Sequence, residues 1–117
     1  MIQFVPFCTD DRNGFIRVRY CCAARTIENQ IYVTMSGMCG SLPNVGNMDV
    51  QYAQGAVLPP FDLPFVWNRM QAEAKPNVET MIAADVSQAS LAEARLRGTV
   101  QNLSNRRTDL YGSGRKG

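Results

Sequence analysis

An α/β fold is predicted for this chain, because a strand-like run, a helix-like stretch and a second strand-like run follow one another within residues 2 to 36. Breaks rich in glycine, proline and asparagine punctuate the apolar runs that come later. A helix-like stretch capped by Ser87 follows them.

Ile2 to Phe7 is short, apolar and biased toward strand formers, and it ends in the turn-forming segment Thr9-Asp10-Asp11-Arg12-Asn13-Gly14. A buried strand and a loop are expected. From Phe15 to Asn29 the residues Ile16, Tyr20, Ala23, Ala24 and Ile27 recur at helical spacing, with Arg17, Arg19 and Arg25 mostly off that stripe. The spacing predicts an amphipathic helix buried along those five positions. Ile31 to Ser36 has the β-branched and aromatic bias of a strand, and the order strand, helix, strand makes a βαβ unit with parallel strands.

Gly37, Gly40, Pro43, Asn44, Gly46 and Asn47 then predict a long surface loop of the kind that borders pockets. Val50 to Leu58 reads as a strand with a possible bulge at Gly55, stopped by Pro59-Pro60. After a turn-rich connection, Glu79 to Val86 reads as a further strand. Ser87 is placed to cap a helix reaching Arg97, which Gly98 closes. The organisation is one unit over 1–111 and a glycine-rich basic tail, 112–117, expected to be flexible.

The chain has 117 residues, an apolar fraction of 45% and a formal charge of +2, which suit one small domain with a core and no field for gripping a polyanion. The arginines of the first helix and Arg106-Arg107 lack any stacking platform, so no nucleic-acid partner is expected. No run approaches the roughly 20 apolar residues of a membrane span, and no secretory layout opens the chain, so no membrane partner and a cytoplasmic setting are expected. The four cysteines, Cys8, Cys21, Cys22 and Cys39, include an adjacent pair unsuited to a disulfide and read as free thiols. They also lack the spacing of a zinc site, and with no histidine in the chain no metal is expected.

Val5-Pro6-Phe7-Cys8-Thr9-Asp10-Asp11-Arg12, Arg17-Val18-Arg19 and Ala24-Arg25-Thr26-Ile27-Glu28-Asn29-Gln30 form an ordered series of motifs. Met48 to Gln54, Pro76-Asn77-Val78-Glu79 and Arg106-Arg107-x-Asp109-Leu110-Tyr111 continue it. Together they resemble the stretch that follows the nucleophile in carbon–nitrogen hydrolases of the nitrilase and amidase superfamily, closest to the branch fused to an acetyltransferase domain. The resemblance covers Ile2 to Tyr111 and implies the C-terminal portion of a four-layer α-β-β-α nitrilase-like sandwich. It also implies dimerisation through outer helices and hydrolysis of an amide or nitrile without any cofactor.

In that family a cysteine attacks the carbon, a glutamate moves protons and a lysine stabilises the charged intermediate. A thiol needs help to become thiolate, and positive charge at the developing oxyanion lowers the barrier. The resemblance places all of them upstream of this region, so no residue here inherits a catalytic role and the chain alone is expected to be inactive. A small amide or nitrile would be its substrate only within an intact domain. Its expected partners are copies of itself or the upstream half, and the alternative is a non-enzymatic remnant that self-associates or docks.

Thr9, Asp10, Gly37 and Met38 follow the C-terminal ends of parallel strands, where α/β sheets place pockets, and are expected at the substrate-pocket edge. Asn44, Asn47 and Asp49 have a weaker claim. Arg25, Glu28 and Asn29 are expected to brace the first helix and the following strand, the alternative for Arg25 and Glu28 being a surface ion pair. Cys8 sits at a strand tip like a nucleophile, yet the turn after it departs from the family's and no histidine is present to act as base. A partly buried structural thiol is expected instead. Other departures from the family are Gly55 in place of a usual serine, Phe61 in place of a small residue, and Val66 to Met70 in place of an Asp-Gly turn.

Overall fold

The computed structural model describes residues 1–62, 64–65 and 70–111. The tail 112–117 and most of the Val66 to Met70 turn lie outside the described residues. In order come β1 (Ile2–Phe7), α1 (Arg12–Asn29), β2 (Tyr32–Gly37), β3 (Ala56–Leu58), β4 (Ala72–Glu73), α2 (Gln88–Arg97) and α3 (Thr108–Tyr111). The strands form one sheet in the order β1-β2-β3-β4.

β1 and β2 are parallel, with Ile2 beside Tyr32 and Phe7 beside Gly37, and α1 crosses between them. β3 joins β2 antiparallel, setting Val33 beside Leu58 and Met35 beside Ala56, and β4 continues antiparallel from β3. The sheet is therefore mixed. Strand side chains alternate between faces, so Val5, Phe7, Val33, Met35, Ala56 and Leu58 all meet α1, where Phe15 and Cys22 complete the main core.

α1 starts earlier than the periodicity predicts. Asp11, in extended conformation, accepts the Gly14 N–H at 2.6 Å and so satisfies one of the helix's unpaired first donors. The buried face also differs from the predicted stripe. Gly14, Phe15, Cys22 and Thr26 are buried and, of the predicted stripe, Ile16 and Ala23 pack against the core, whereas Tyr20 is 68% exposed and Ile27 also faces out. Both sets obey helical spacing, and the sheet selects the one carrying Phe15, whose ring packs between Phe7 at 6.0 Å and Tyr52 at 5.4 Å. Of the adjacent cysteines, Cys22 faces the core and Cys21 the exterior.

Two predicted strands are corrected. Within Val50 to Leu58 only Ala56–Leu58 enters the sheet, while Gln51 forms an isolated antiparallel bridge with Gly40. Thr9 captures the backbone of Tyr52 instead, which draws the intervening chain away from β2. Glu79 to Val86 joins no ladder among the described residues.

α2 is capped by Ser87, whose hydroxyl accepts the Ser90 N–H at 3.1 Å, and is closed at Gly98, whose N–H reaches Ala94 O. It covers one end of the sheet face opposite α1. There Leu91 and Ala94 bury with Tyr32 and Phe65, whose rings meet edge to face at 5.7 Å. Elsewhere on that face Phe4 is 72% exposed, while Val57 is buried.

Candidate functional site

The parallel pair brings the C-terminal ends of β1 and β2 together, and three of the predicted pocket-edge residues meet there. Met38 N–H donates to Phe7 O at 3.2 Å, and Gly37 lies against the Phe7 ring and Ala53. Thr9 is fixed on both sides, its hydroxyl donating to Tyr52 O at 2.7 Å and its carbonyl accepting the Tyr52 N–H at 2.7 Å. Asp10 is exposed beside it, one residue before the cap of α1. Asn44, Asn47 and Asp49 are exposed in the loop, where Asp49 O accepts from Ser41.

Cys8 is exposed rather than partly buried. Its thiol donates to Gln51 Oε1 at 2.8 Å. A carboxamide cannot accept that proton outright, so the pair is not a nucleophile and base. Gln51 is itself buried, and its Nε2 has no hydrogen-bond partner. Gln51 and Tyr52 are the residues that fix this strand end, and neither was assigned a role from sequence. Their signal lay in the Met48 to Gln54 motif, but hydrogen bonds to Cys8 and Thr9, more than 40 residues away, leave no local periodicity.

A cavity of about 320 Å³ opens on the sheet face away from α1. Thr34, Ser36, Gly37 and Gly55 form its floor, and Lys75 and Glu79 stand on its rim. Of the predicted edge residues only Gly37 borders it; Thr9, Asp10 and Met38 lie outside its lining. Gly55 is open to it, since a Cβ there would meet Met35 O at 3.4 Å and little else. Both polar and apolar surface is available, with one cation and one carboxylate at the mouth.

Arg25, Glu28 and Asn29 lie at the other end of the parallel pair, where α1 turns into β2. Arg25 and Glu28 form an exposed ion pair at 2.8 Å, a contact worth only a few tenths of a kcal/mol, about 0.3–0.5. Asn29 is more deeply engaged. Its Nδ2 donates to Arg25 O at 3.2 Å and its Oδ1 accepts from Arg106 at 2.6 Å, while Arg106 also reaches Glu28 O. Arg95 donates to the carbonyls of Gln30 and Asn29, so two downstream arginines close the C-terminus of α1.

Burial pushes the Cys22 thiol above its ordinary range, and neighbouring Cys21 adds to the shift. Among the described residues no group of three or more His, Cys, Asp and Glu side chains comes together to hold a metal. No helix among them is long and apolar enough to cross a membrane.

No protein-family model matches the chain, and no solved structure matches it. A curated protein of Bacillus subtilis (strain 168), named Probable hydrolase YhcX, is 47% identical to it over 110 residues. That match takes in 94% of this chain but 21% of the relative. The chain thus spans about a fifth of the length of the curated relative it matches.

Proposed function

We propose that this chain is the C-terminal part of a nitrilase-like carbon–nitrogen hydrolase, working on a small amide or nitrile only in company with the part that carries the glutamate, lysine and cysteine. The observation that carries this reading is the 47% identity to a probable hydrolase, sustained over 110 residues. The series of motifs from Val5 to Tyr111 narrows it from hydrolase to the carbon–nitrogen branch.

The geometry is consistent with such a division of labour. Thr9, Gly37 and Met38 form a strand end that can border a cleft, and the thiol beside Thr9, Cys8, donates to Gln51. β1 pairs with β2 on one side alone, and its other edge faces no strand among the described residues. An unpaired parallel edge beside an open face suits the arrival of further strands from the remaining part of the enzyme. The outer stripe of α1, with Tyr20 and Ile27 exposed, suits association between copies through that helix.

The test is ammonia release from a panel of small amides and nitriles. The purified chain is expected to give none, and the chain co-expressed with the part of the Bacillus subtilis relative that it does not match is expected to give turnover. Turnover by the chain alone, or an inert complex, would sink the reading.

A further inference from the structure

Positive charge gathers in a cleft at the N-terminal end of β1 and β2. The cleft encloses about 530 Å³ and has apolar walls at Ile2, Ile31 and Leu103. Arg95, on α2, and Arg106, just before α3, also line it, and among the described residues no carboxylate side chain does.

Both guanidinium groups are positioned without being neutralised. Arg95 donates Nε to Gln30 O at 3.0 Å and Nη2 to Asn29 O at 3.4 Å. Arg106 donates Nη2 to Glu28 O at 3.1 Å and to Asn29 Oδ1 at 2.6 Å. Every one of these acceptors is a carbonyl oxygen, and the Glu28 carboxylate is engaged by Arg25 at 2.8 Å instead. Neither Arg95 nor Arg106 forms an ion pair among the described residues. A guanidinium carries five N–H donors on three nitrogens. Nη1 of Arg95, and Nη1 and Nε of Arg106, therefore remain for a ligand.

The C-terminus of α1 carries about half a unit of negative charge, so two fixed cations beside it leave an excess of about one and a half positive charges. Both arginines reach Asn29, which brings the two charges to one place. A carboxylate would match one of them. A phosphate group carries nearly two negative charges at neutral pH on three oxygens, and it takes the same forked hydrogen bonds from guanidinium.

We infer that Arg95 and Arg106 form a binding site for the phosphate dianion of a small molecule. Ile2, Ile31 and Leu103 give it apolar surface on one side, which favours a phosphate monoester with an apolar body over free phosphate. The Met1 ammonium donates to Gln88 Oε1 at 3.2 Å and is not part of the site. The site goes beyond the hydrolase function proposed above and does not depend on it.

Calorimetric titration of the purified chain with phenyl phosphate, in a phosphate-free buffer of low ionic strength, tests this. Benzenesulfonate, a monoanion of similar shape, is expected to bind about tenfold more weakly or worse. The chain has no histidine, and the second phosphate ionisation falls at about pH 6. Phenyl phosphate affinity is therefore expected to rise several-fold from about pH 5 to about pH 7, while that of benzenesulfonate stays level. Arg106→Gln keeps a donor for Glu28 O and is expected to weaken phenyl phosphate about tenfold or more. Arg107→Gln, one residue on and paired with Asp109 at 2.7 Å away from the cleft lining, is expected to leave binding unchanged, as is acetylation of the Met1 amine.

Inorganic phosphate is the second probe. Weaker binding than phenyl phosphate assigns the site to a monoester, equal binding assigns it to free phosphate, and either supports a phosphate site. If Arg106→Gln does not fold, the backbone amides that phenyl phosphate perturbs in the unsubstituted chain decide the matter: shifts centred on Asn29, Ile31 and Leu103 support the site, and shifts centred elsewhere overturn it. No binding of either phosphate at millimolar concentration would overturn the inference. So would equal binding of benzenesulfonate, an equal loss in Arg107→Gln, or a loss on acetylation.

Discussion

Arg95 on α2 donates its Nε to the backbone carbonyl of Gln30 at 3.0 Å, across 65 residues of sequence. Gln30 ends α1 in the left-handed conformation, at φ 47°, a place where glycine or asparagine is usual. It holds that conformation because its side chain is also used, Nε2 donating to Val100 O at 3.0 Å and to Ala94 O at 3.3 Å. α1 and α2 are thus joined at one residue, and the corner from helix to β2 is fixed from outside the βαβ unit.

Arg95→Met keeps the apolar stem and removes the donor. A hydrogen bond from a charged group contributes about 1.5–3 kcal/mol, so the variant is expected to lose about that much stability in urea unfolding. An unchanged midpoint would show that water replaces the guanidinium there.

Gly37 and Gly55 are expected to respond in opposite directions. A Cβ at Gly37 would stand 2.4 Å from the Phe7 ring and 2.6 Å from the Ala53 Cβ, so Gly37→Ala must displace packed groups and is expected to cost about 1–3 kcal/mol. At Gly55 the nearest atom is Met35 O at 3.4 Å, an ordinary contact. Gly55→Ala is expected to be neutral or to stabilise by up to about 1 kcal/mol through the unfolded chain. Thermal melts of the two variants, measured together, check the contrast.

The thiols are expected to react in order of exposure. Cys8 and Cys21 are exposed, Cys39 is intermediate and Cys22 is buried. A chromogenic disulfide reagent at neutral pH is expected to label the first two quickly, Cys39 more slowly, and Cys22 only on unfolding. Because burial raises the Cys22 pKa in the folded state, the unfolded chain loses that proton first as pH rises. Stability from this group is therefore complete below about pH 8.5, the free thiol value, and is lost progressively above it. Cys22→Ala is expected to flatten that alkaline decline; an identical pH profile would exclude Cys22 as its source.

Sequence determined what depends on near neighbours. The strand bias of Ile2–Phe7 and Tyr32–Gly37, the helix between them and the Ser87 cap are written in propensity, periodicity and one side-chain oxygen, and each lies within a few residues of its effect. The parallel pairing of β1 with β2 follows from their order.

Tertiary structure alone decided that Phe15, Cys22 and Thr26 are the most buried positions of α1 while Tyr20 and Ile27 face out and Ile16 and Ala23 lie between, because both stripes have helical spacing and only the sheet discriminates between them. It also decided that Gln51 would hold Cys8, that Arg95 and Arg106 would close α1, and that Glu79 to Val86 would join no ladder among the described residues. Local sequence sets what a segment can become, whereas burial and strand pairing need a second surface, and that surface comes from residues far away along the chain.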